Sequence, residues 1–269
     1  MVNILIIKNF LNKIHISKYT YIIIFLCFIT GLIKELSIII ILILFHEFGH
    51  YIISYIFKWN IHKINIYPFG GLIKYDDIID KPLIEEFLIA ICGPLNQWIL
   101  FSIIYLLYKN YYISDYYYNS FYNYHITMFI FNLLPIIPLD GSKILNIILN
   151  KIFNFKISYK VLSIISLIFL LLFIYFFKNN YTYIIVILFL IYELINYIKN
   201  KNYIFNRFIL EKYLYKNKYT SIKKINSINK MKRNKKHIIK NNNMYITEKE
   251  YINKVYNKDH NMDKLDNNN

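Results

Sequence analysis

The residues best placed to do chemistry lie in the stretch Leu44-Phe45-His46-Glu47-Phe48-Gly49-His50. Histidines at i and i+4 share one face of a helix, so both imidazoles can reach one zinc ion at ~2.0–2.1 Å. The glutamate between them lies beside that ion and can take a proton from water, whose pKa zinc lowers toward ~7. The same His-Glu-x-x-His pattern also arises by chance in unrelated soluble helices. Here it falls inside an otherwise apolar run, where an unpaired acid costs roughly 2.5–3.5 kcal/mol. A cation held by the two histidines offsets that cost directly.

A catalytic zinc normally takes three protein ligands and keeps one position open, so a third ligand must come from another segment. Setting aside loop acids such as Glu35, only Asp140 and Glu193 join Glu47 near the apolar core. Glu193 is six residues before Lys199, where it can face lipid headgroups. Asp140 follows Asn132-Leu133-Leu134-Pro135-Ile136-Ile137-Pro138-Leu139 and precedes Gly141. Pro135 and Pro138 break the helix there, and irregular backbone at membrane depth survives only where it lines a protein-enclosed cavity. An acid at such a break reads as a metal ligand; an Asp that caps the next helix is the plainer alternative.

The elements that must position these groups follow from composition. The chain is 57% hydrophobic and 19% aromatic, yet its formal net charge is +16. The two properties are segregated: residues 1–198 hold nearly all the apolar runs, while residues 199–269 hold 18 of the 32 Lys+Arg against six acids. A bilayer core of ~30 Å needs ~20 residues of apolar helix. Candidate spans are Tyr19–Ile33, Leu36–Phe57, Phe87–Leu107, Phe121–Ile137, Lys160–Phe177 and Thr182–Ile198. The segment before span one and the loops after spans two and four are rich in lysine, whereas the others carry Lys34, Lys109 or Lys178 alone. That alternation is the positive-inside pattern for six spans with both termini in the cytoplasm. Ile4–Ile7, interrupted by Lys8 and Lys13, does not read as a cleavable signal peptide. Cys27 and Cys92 lie in apolar runs and suggest no disulfide framework. Tyr111, Tyr112 and Tyr116–Tyr118 fit an interfacial aromatic belt, His15 fits an interfacial position, and His62 and His125 lack ligand spacing.

Trp59–Tyr75 alternates and turns at Pro68-Phe69-Gly70-Gly71, which reads as a membrane-associated β-hairpin with a free edge for strand addition by a substrate. An ordinary surface hairpin is the alternative. The acids that follow (Asp76, Asp77, Asp80, Glu85, Glu86) read as a solvated cytoplasmic face. Every proline, and every glycine except Gly31, falls between Gly49 and Gly141, although the chain has only five prolines and six glycines. Such residues persist where backbone geometry is special.

His46–His50 on the second span, paired with Asn132, Pro135 and Asp140-Gly141, resembles the site-2 protease family of intramembrane zinc metalloproteases. Pro82-Leu83-Ile84-Glu85-Glu86-Phe87 and Gly93-Pro94 are similar to its bacterial stage IV sporulation branch, over about residues 15–215. The resemblance implies that His46, His50 and Asp140 bind zinc and that Glu47 is the general acid/base. It also implies that Asn132 orients substrate or the oxyanion, and that Pro68, Phe69, Gly70, Gly71, Pro135 and Pro138 contact substrate. Ser142 departs from the family, in which a second glycine is common there. The implied substrate is a membrane-tethered precursor, in the sporulation branch a pro-sigma factor. The implied location is a bacterial cytoplasmic-type membrane around the forespore, and membrane-bound inhibitory partners or an oligomer fit the same picture. A general protease of anti-sigma factors or remnant signal peptides stays open within the family. Outside it, a polytopic transporter with a His/Asp cation path and an inactive scaffold remain.

Residues 199–224 read as a basic interfacial helix or linker, with the apolar spacing of a membrane-surface helix over Tyr203–Tyr215. Residues 225–269 resemble a reduced cystathionine-β-synthase-type (CBS) module, which implies ATP sensing, and end in low-complexity asparagine runs such as Asn267–Asn269. The basic balance suits anionic lipid, and no nucleic acid is expected. The expected fold is thus an all-α polytopic membrane protein with six transmembrane helices in residues 1–198, a β-hairpin, and a small cytoplasmic α+β tail.

Overall fold

A computed structural model of the protein describes residues 2–67, 70–76, 79–179, 183–214, 219, 221–241 and 244–254. The chain is mostly helical. Its helices are α1 (Val2–Asn12), α2 (Lys18–Ile29), α3 (Ile33–Ile56), α4 (Leu83–Lys109), α5 (Asp115–Leu133), α6 (Asp140–Ile152), α7 (Phe155–Phe177), α8 (Ile184–Lys199) and α9 (Lys201–Leu214). Among the described residues, α3, α4 and α7 are long and apolar enough to cross a membrane, with 24, 27 and 23 residues. Helix α2 is apolar but has only 12 residues.

Helices α3 and α4 pack most extensively, and glycine lets them close. A Cβ built on Gly49 of α3 would stand 2.4 Å from the carbonyl oxygen of Cys92 on α4. Helix α5 ends at Leu133, and the chain turns through Pro135 and Pro138 before α6 opens at Asp140. The prolines therefore break the fourth apolar run as their chemistry requires. Ile136, Ile137 and Leu139 of the break are buried with Leu162 and Leu170 of α7 and Leu190 and Leu194 of α8, which anchors the turn. Residues 140–152 fold as α6, an amphipathic helix, where a loop between spans was expected. Ile147, Leu149 and Asn150 face inward, and Asn154 then caps α7 by accepting from the Ile157 amide at 2.9 Å.

The predicted hairpin forms as β2 (Ile61–Tyr67) and β3 (Gly70–Tyr75), with Tyr67 opposite Gly70. Pro68 and Phe69, at the turn, lie outside the described residues. A strand that periodicity did not reveal, β1 (Ile14–Ile16), pairs parallel to β2, so the sheet order is β1-β2-β3 and β3 is an edge. Three residues are too few to show an alternating pattern.

The tail folds as β4 (Ile222–Ile225), β5 (Lys236–Asn241) and β6 (Met244–Thr247), with residues 248–254 helical. Strand β4 is parallel to β5, and β6 is antiparallel to it. Residues 242–243 and 255–269, with their asparagine runs, lie outside the described residues. Helix α9 turns only part of its apolar surface outward, with Tyr203, Leu210 and Leu214 exposed. Phe205, Phe208 and Ile209 are buried with Phe155, Ile225, Met231, Ile239 and Ile252. The loop before α4 is also drawn in rather than solvated. Asp80 is buried and paired with buried Lys212 of α9 at 2.6 Å, and Glu86 pairs with Arg233 at 2.8 Å. The Asn234 amide donates to Asp80 Oδ1 at 2.9 Å and the Tyr219 hydroxyl to the Asp80 carbonyl at 2.7 Å.

Candidate active site

Helix α3 presents His46, Glu47 and His50 together, all buried to within 3% of full exclusion from solvent. The imidazoles meet edge to face with ring centroids 4.9 Å apart, as i and i+4 side chains of one helix should. Room for His50 comes from α4, where Gly93 lies against the ring; a Cβ there would stand 2.2 Å from His50 Nε2. The His50 Nδ1–H donates to the Ile89 carbonyl at 2.7 Å, so Nε2 keeps its lone pair. His46 Nδ1 is 3.2 Å from Gln97 Oε1.

The proline break delivers Asp140 to this pair. Its Oδ2 is 2.9 Å from His46 Nε2 and 3.0 Å from His50 Nε2, and the two nitrogens are 3.1 Å apart. Asp140 opens α6, but its carboxylate is turned to the imidazoles and not to the helix amides, so it is no ordinary cap. Gly141 permits the turn: its Cβ would meet the Leu133 carbonyl oxygen at 2.1 Å. Asp140 Oδ1 accepts from Lys143 Nζ at 2.8 Å, one turn along α6.

These donors fit zinc. Ligand bonds of ~2.0–2.1 Å at tetrahedral angles put neighbouring ligand atoms roughly 3.3 Å apart, close to the spacings seen. Two imidazole nitrogens and a carboxylate are a catalytic donor set, and acceptors on the far ring nitrogens are the support such ligands use. Lys143 occupies the second carboxylate oxygen and so favours one-point binding by Asp140.

A cavity of ≈ 20 Å³ adjoins His46 and Asp140, room for about one water molecule. Glu47, Asn132, Gly70, Gly71, Pro138 and Lys143 line it. Gly71 brings the hairpin directly over Glu47, since a Cβ there would stand 2.3 Å from Glu47 Cδ. Asn132 is buried, and its Nδ2 has no hydrogen-bond partner among the described residues. A buried, orphaned amide donor at the wall of such a cavity is costly unless a ligand oxygen accepts from it.

The fold therefore gathers His46, Glu47, His50, Asp140, Asn132, Gly70, Gly71 and Pro138 in one place. Pro135 does not line the cavity; its carbonyl accepts from Ser166 Oγ of α7 at 3.1 Å. Glu193 sits on α8, outside the lining. His62 pairs with Asp76 at 3.0 Å on the exposed hairpin. Sequence reading missed Lys143, counted there as a loop cation, though its position three residues after Asp140 on a helix was available as a signal. It also missed Gln97, and it named Gly93 without seeing that it makes room for His50. A glutamine in the middle of an apolar span was the available sign of the first.

Residues 35–118 and 112–176 match the profile of peptidase family M50. The chain belongs to that family, the site-2 proteases. Stage IV sporulation protein FB of Bacillus subtilis is 32% identical over 211 residues, 77% of this chain and 73% of that protein. A zinc metalloprotease of Methanocaldococcus jannaschii is 31% identical over 122 residues, 44% of this chain and 35% of that protein. The solved site-2 protease from the same archaeon superposes with a TM-score of 0.54 at 25% identity, covering 68% of this chain and 90% of that one. The protein is accordingly an intramembrane metalloprotease of family M50, a family whose cofactor is zinc.

Proposed function

We propose that this M50 protein is a zinc-dependent intramembrane endopeptidase that cuts a membrane-tethered precursor, with His46, His50 and Asp140 holding the metal. The observation that carries the assignment is the convergence of two Nε2 atoms and Asp140 Oδ2 at 2.9–3.1 Å beside the Glu47 carboxylate. Zinc, when bound, supplies Lewis acidity that polarises a carbonyl and acidifies water. Glu47 takes the proton from that water and delivers it to the leaving amide nitrogen. Asn132 Nδ2 donates to the carbonyl oxygen as negative charge builds there. A helix must unwind to expose its carbonyls, and the β3 edge, with Gly70 and Gly71 and the neighbouring Pro68 and Phe69, pairs with the extended segment. Pro138 walls the cavity, and Pro135 belongs to the same break.

The topology proposed is six crossings by α2, α3, α4, α5, α7 and α8 with both termini cytoplasmic. The lysine alternation supports it, and the short α2 and α8 would require local thinning of the bilayer. Similarity to stage IV sporulation protein FB over 73% of its length supports a pro-sigma factor as the precursor and a forespore-surrounding membrane as the location. The tail is proposed as a reduced CBS-type regulatory module that senses ATP. A cleft lined by Asn154, Lys223, Lys224, Asn226, Lys230 and Lys232 supports anion binding there. Burial and the neighbouring Lys223 and Lys235 push the Lys232 ammonium pKa down, the strain an anion would relieve.

The test is co-expression with a membrane-anchored pro-sigma precursor, scored for a shortened product, with metal analysis of the purified protein. Cleavage should vanish in Glu47→Gln at unchanged expression, and Asp140→Ala should lose the single zinc. Wild-type protein that purifies without zinc, or a Glu47→Gln variant that still cleaves, overturns the proposal.

A further inference from the structure

Behind the metal-ligand triangle a second polar chain runs from α3 through α4 to α5. Gln97 of α4 is fully buried, with Oε1 3.2 Å from His46 Nδ1. Its Nε2 lies 2.9 Å from the carbonyl oxygen of His125 and 3.2 Å from His125 Nδ1. A backbone carbonyl can only accept, so the amide nitrogen must face it; the reverse orientation would set two oxygens against each other. Gln97 Oε1 then faces His46 and can only accept, which places the His46 proton on Nδ1. His46 Nε2 is left with its lone pair toward Asp140 Oδ2 and His50. The His125 ring, itself fully buried, is stacked on Phe101 at 4.6 Å and 8° and set edge-on to Trp98 at 4.9 Å, so aromatic contacts hold the chain's far end.

We infer that Gln97 is a positioning residue that commits His46 to the tautomer with a free Nε2, and that His125 orients the Gln97 amide. Neither touches substrate. The inference rests on His46 being a zinc ligand, and it names the residue that makes it one. Nothing of this kind supports His50, whose Nδ1 donates to a main-chain carbonyl that needs no orienting. Of the two imidazoles, only His46 depends on a side chain for its tautomer.

The test measures zinc affinity of the full chain in detergent by competition with a chelator, for wild type, Gln97→Leu, Gln97→Met and Gln97→Glu. Loss of an outer partner of a metal-bound histidine typically weakens binding by about 10–100-fold. Gln97→Leu and Gln97→Met, which offer His46 no acceptor, should show that loss. Gln97→Glu, buried and therefore protonated, keeps an oxygen toward His46 and turns its O–H to the His125 carbonyl, so it should retain wild-type affinity. A purely structural amide would instead lower the melting temperature in all three and leave affinity unmoved. Wild-type affinity in a folded Gln97→Leu or Gln97→Met, or equal loss in Gln97→Glu, overturns the inference. Two apolar replacements of different shape guard against one failing to fold. Failure of the underlying metal assignment would look different: wild-type protein itself would hold no zinc.

Discussion

Replacing Gly93 by alanine sets two effects of one methyl group against each other. In an open helix the change would stabilise the protein by about 1 kcal/mol, because glycine loses more backbone freedom on folding. At position 93 the new Cβ would stand 2.2 Å from His50 Nε2 and 2.4 Å from Cε1. Ordinary contact begins at 3.4 Å, so ring and helix must part by roughly 1.2 Å. Zinc–ligand distances tolerate about 0.2 Å either way. The ring cannot retreat freely, because Ile89 holds Nδ1 at 2.7 Å from the same helix that carries Gly93. The steric term therefore wins: overpacking of this kind costs about 1–3 kcal/mol, and it acts on a proposed metal ligand. Gly93→Ala should purify with its helices intact and with zinc falling from one per chain toward none, and cleavage of a tethered precursor should fall with it. Ile99→Ala, on the same helix at a side chain 60% exposed, should lose neither. A Gly93→Ala protein with one zinc and wild-type cleavage would show that the close approach is not what this glycine is for.

Gly71→Ala should separate chemistry from metal binding: its Cβ would strike Glu47 Cδ at 2.3 Å, so cleavage should drop at least ~100-fold, the scale of a general base, while zinc content stays at one. Lys212→Met leaves Asp80 buried without the partner it meets at 2.6 Å, and breaking such a pair costs about 3–5 kcal/mol. Limited proteolysis should then cut within residues 199–254 sooner than in wild type, and equal cutting rates would contradict the docked tail. Burial lifts the Glu211 carboxyl pKa above its ordinary 4.5, against the Ile79 amide and Arg207, which lower it. The folded tail thus binds that proton more tightly than the unfolded one. The stability contributed is complete below pH 4.5 and is lost as pH rises through the higher folded value. Protease resistance of the tail should fall over that interval, and Glu211→Gln should flatten the change.

The convergence of His46, His50 and Asp140 was legible because polar groups in an apolar run need a partner, and few candidates exist. His46 and His50 announce one face of a helix, and the two prolines before Asp140 announce an interruption that has to be enclosed. What stayed hidden has no local signature. Asp80 and Glu86 look like any solvated acids until Lys212 and Arg233, more than a hundred residues away, fold onto them. Helix α6 was read as a loop because lysines were counted as orientation signals, although Lys143 reaches into the site. The glycines show how a correct observation can carry the wrong cause. Their confinement to residues 49–141 suggested unusual backbone angles, yet the one positive-φ glycine is Gly31, at 77°, outside that window. Within it, a Cβ on Gly49, Gly71, Gly93 or Gly141 would fall within 2.4 Å of another atom, and only Gly70 has space. At four of the chain's six glycines, a side chain is missing where none fits. Three of those four positions press directly on Glu47, on His50 or on the turn into Asp140, so the scarcity of glycine marks the contacts that shape the site.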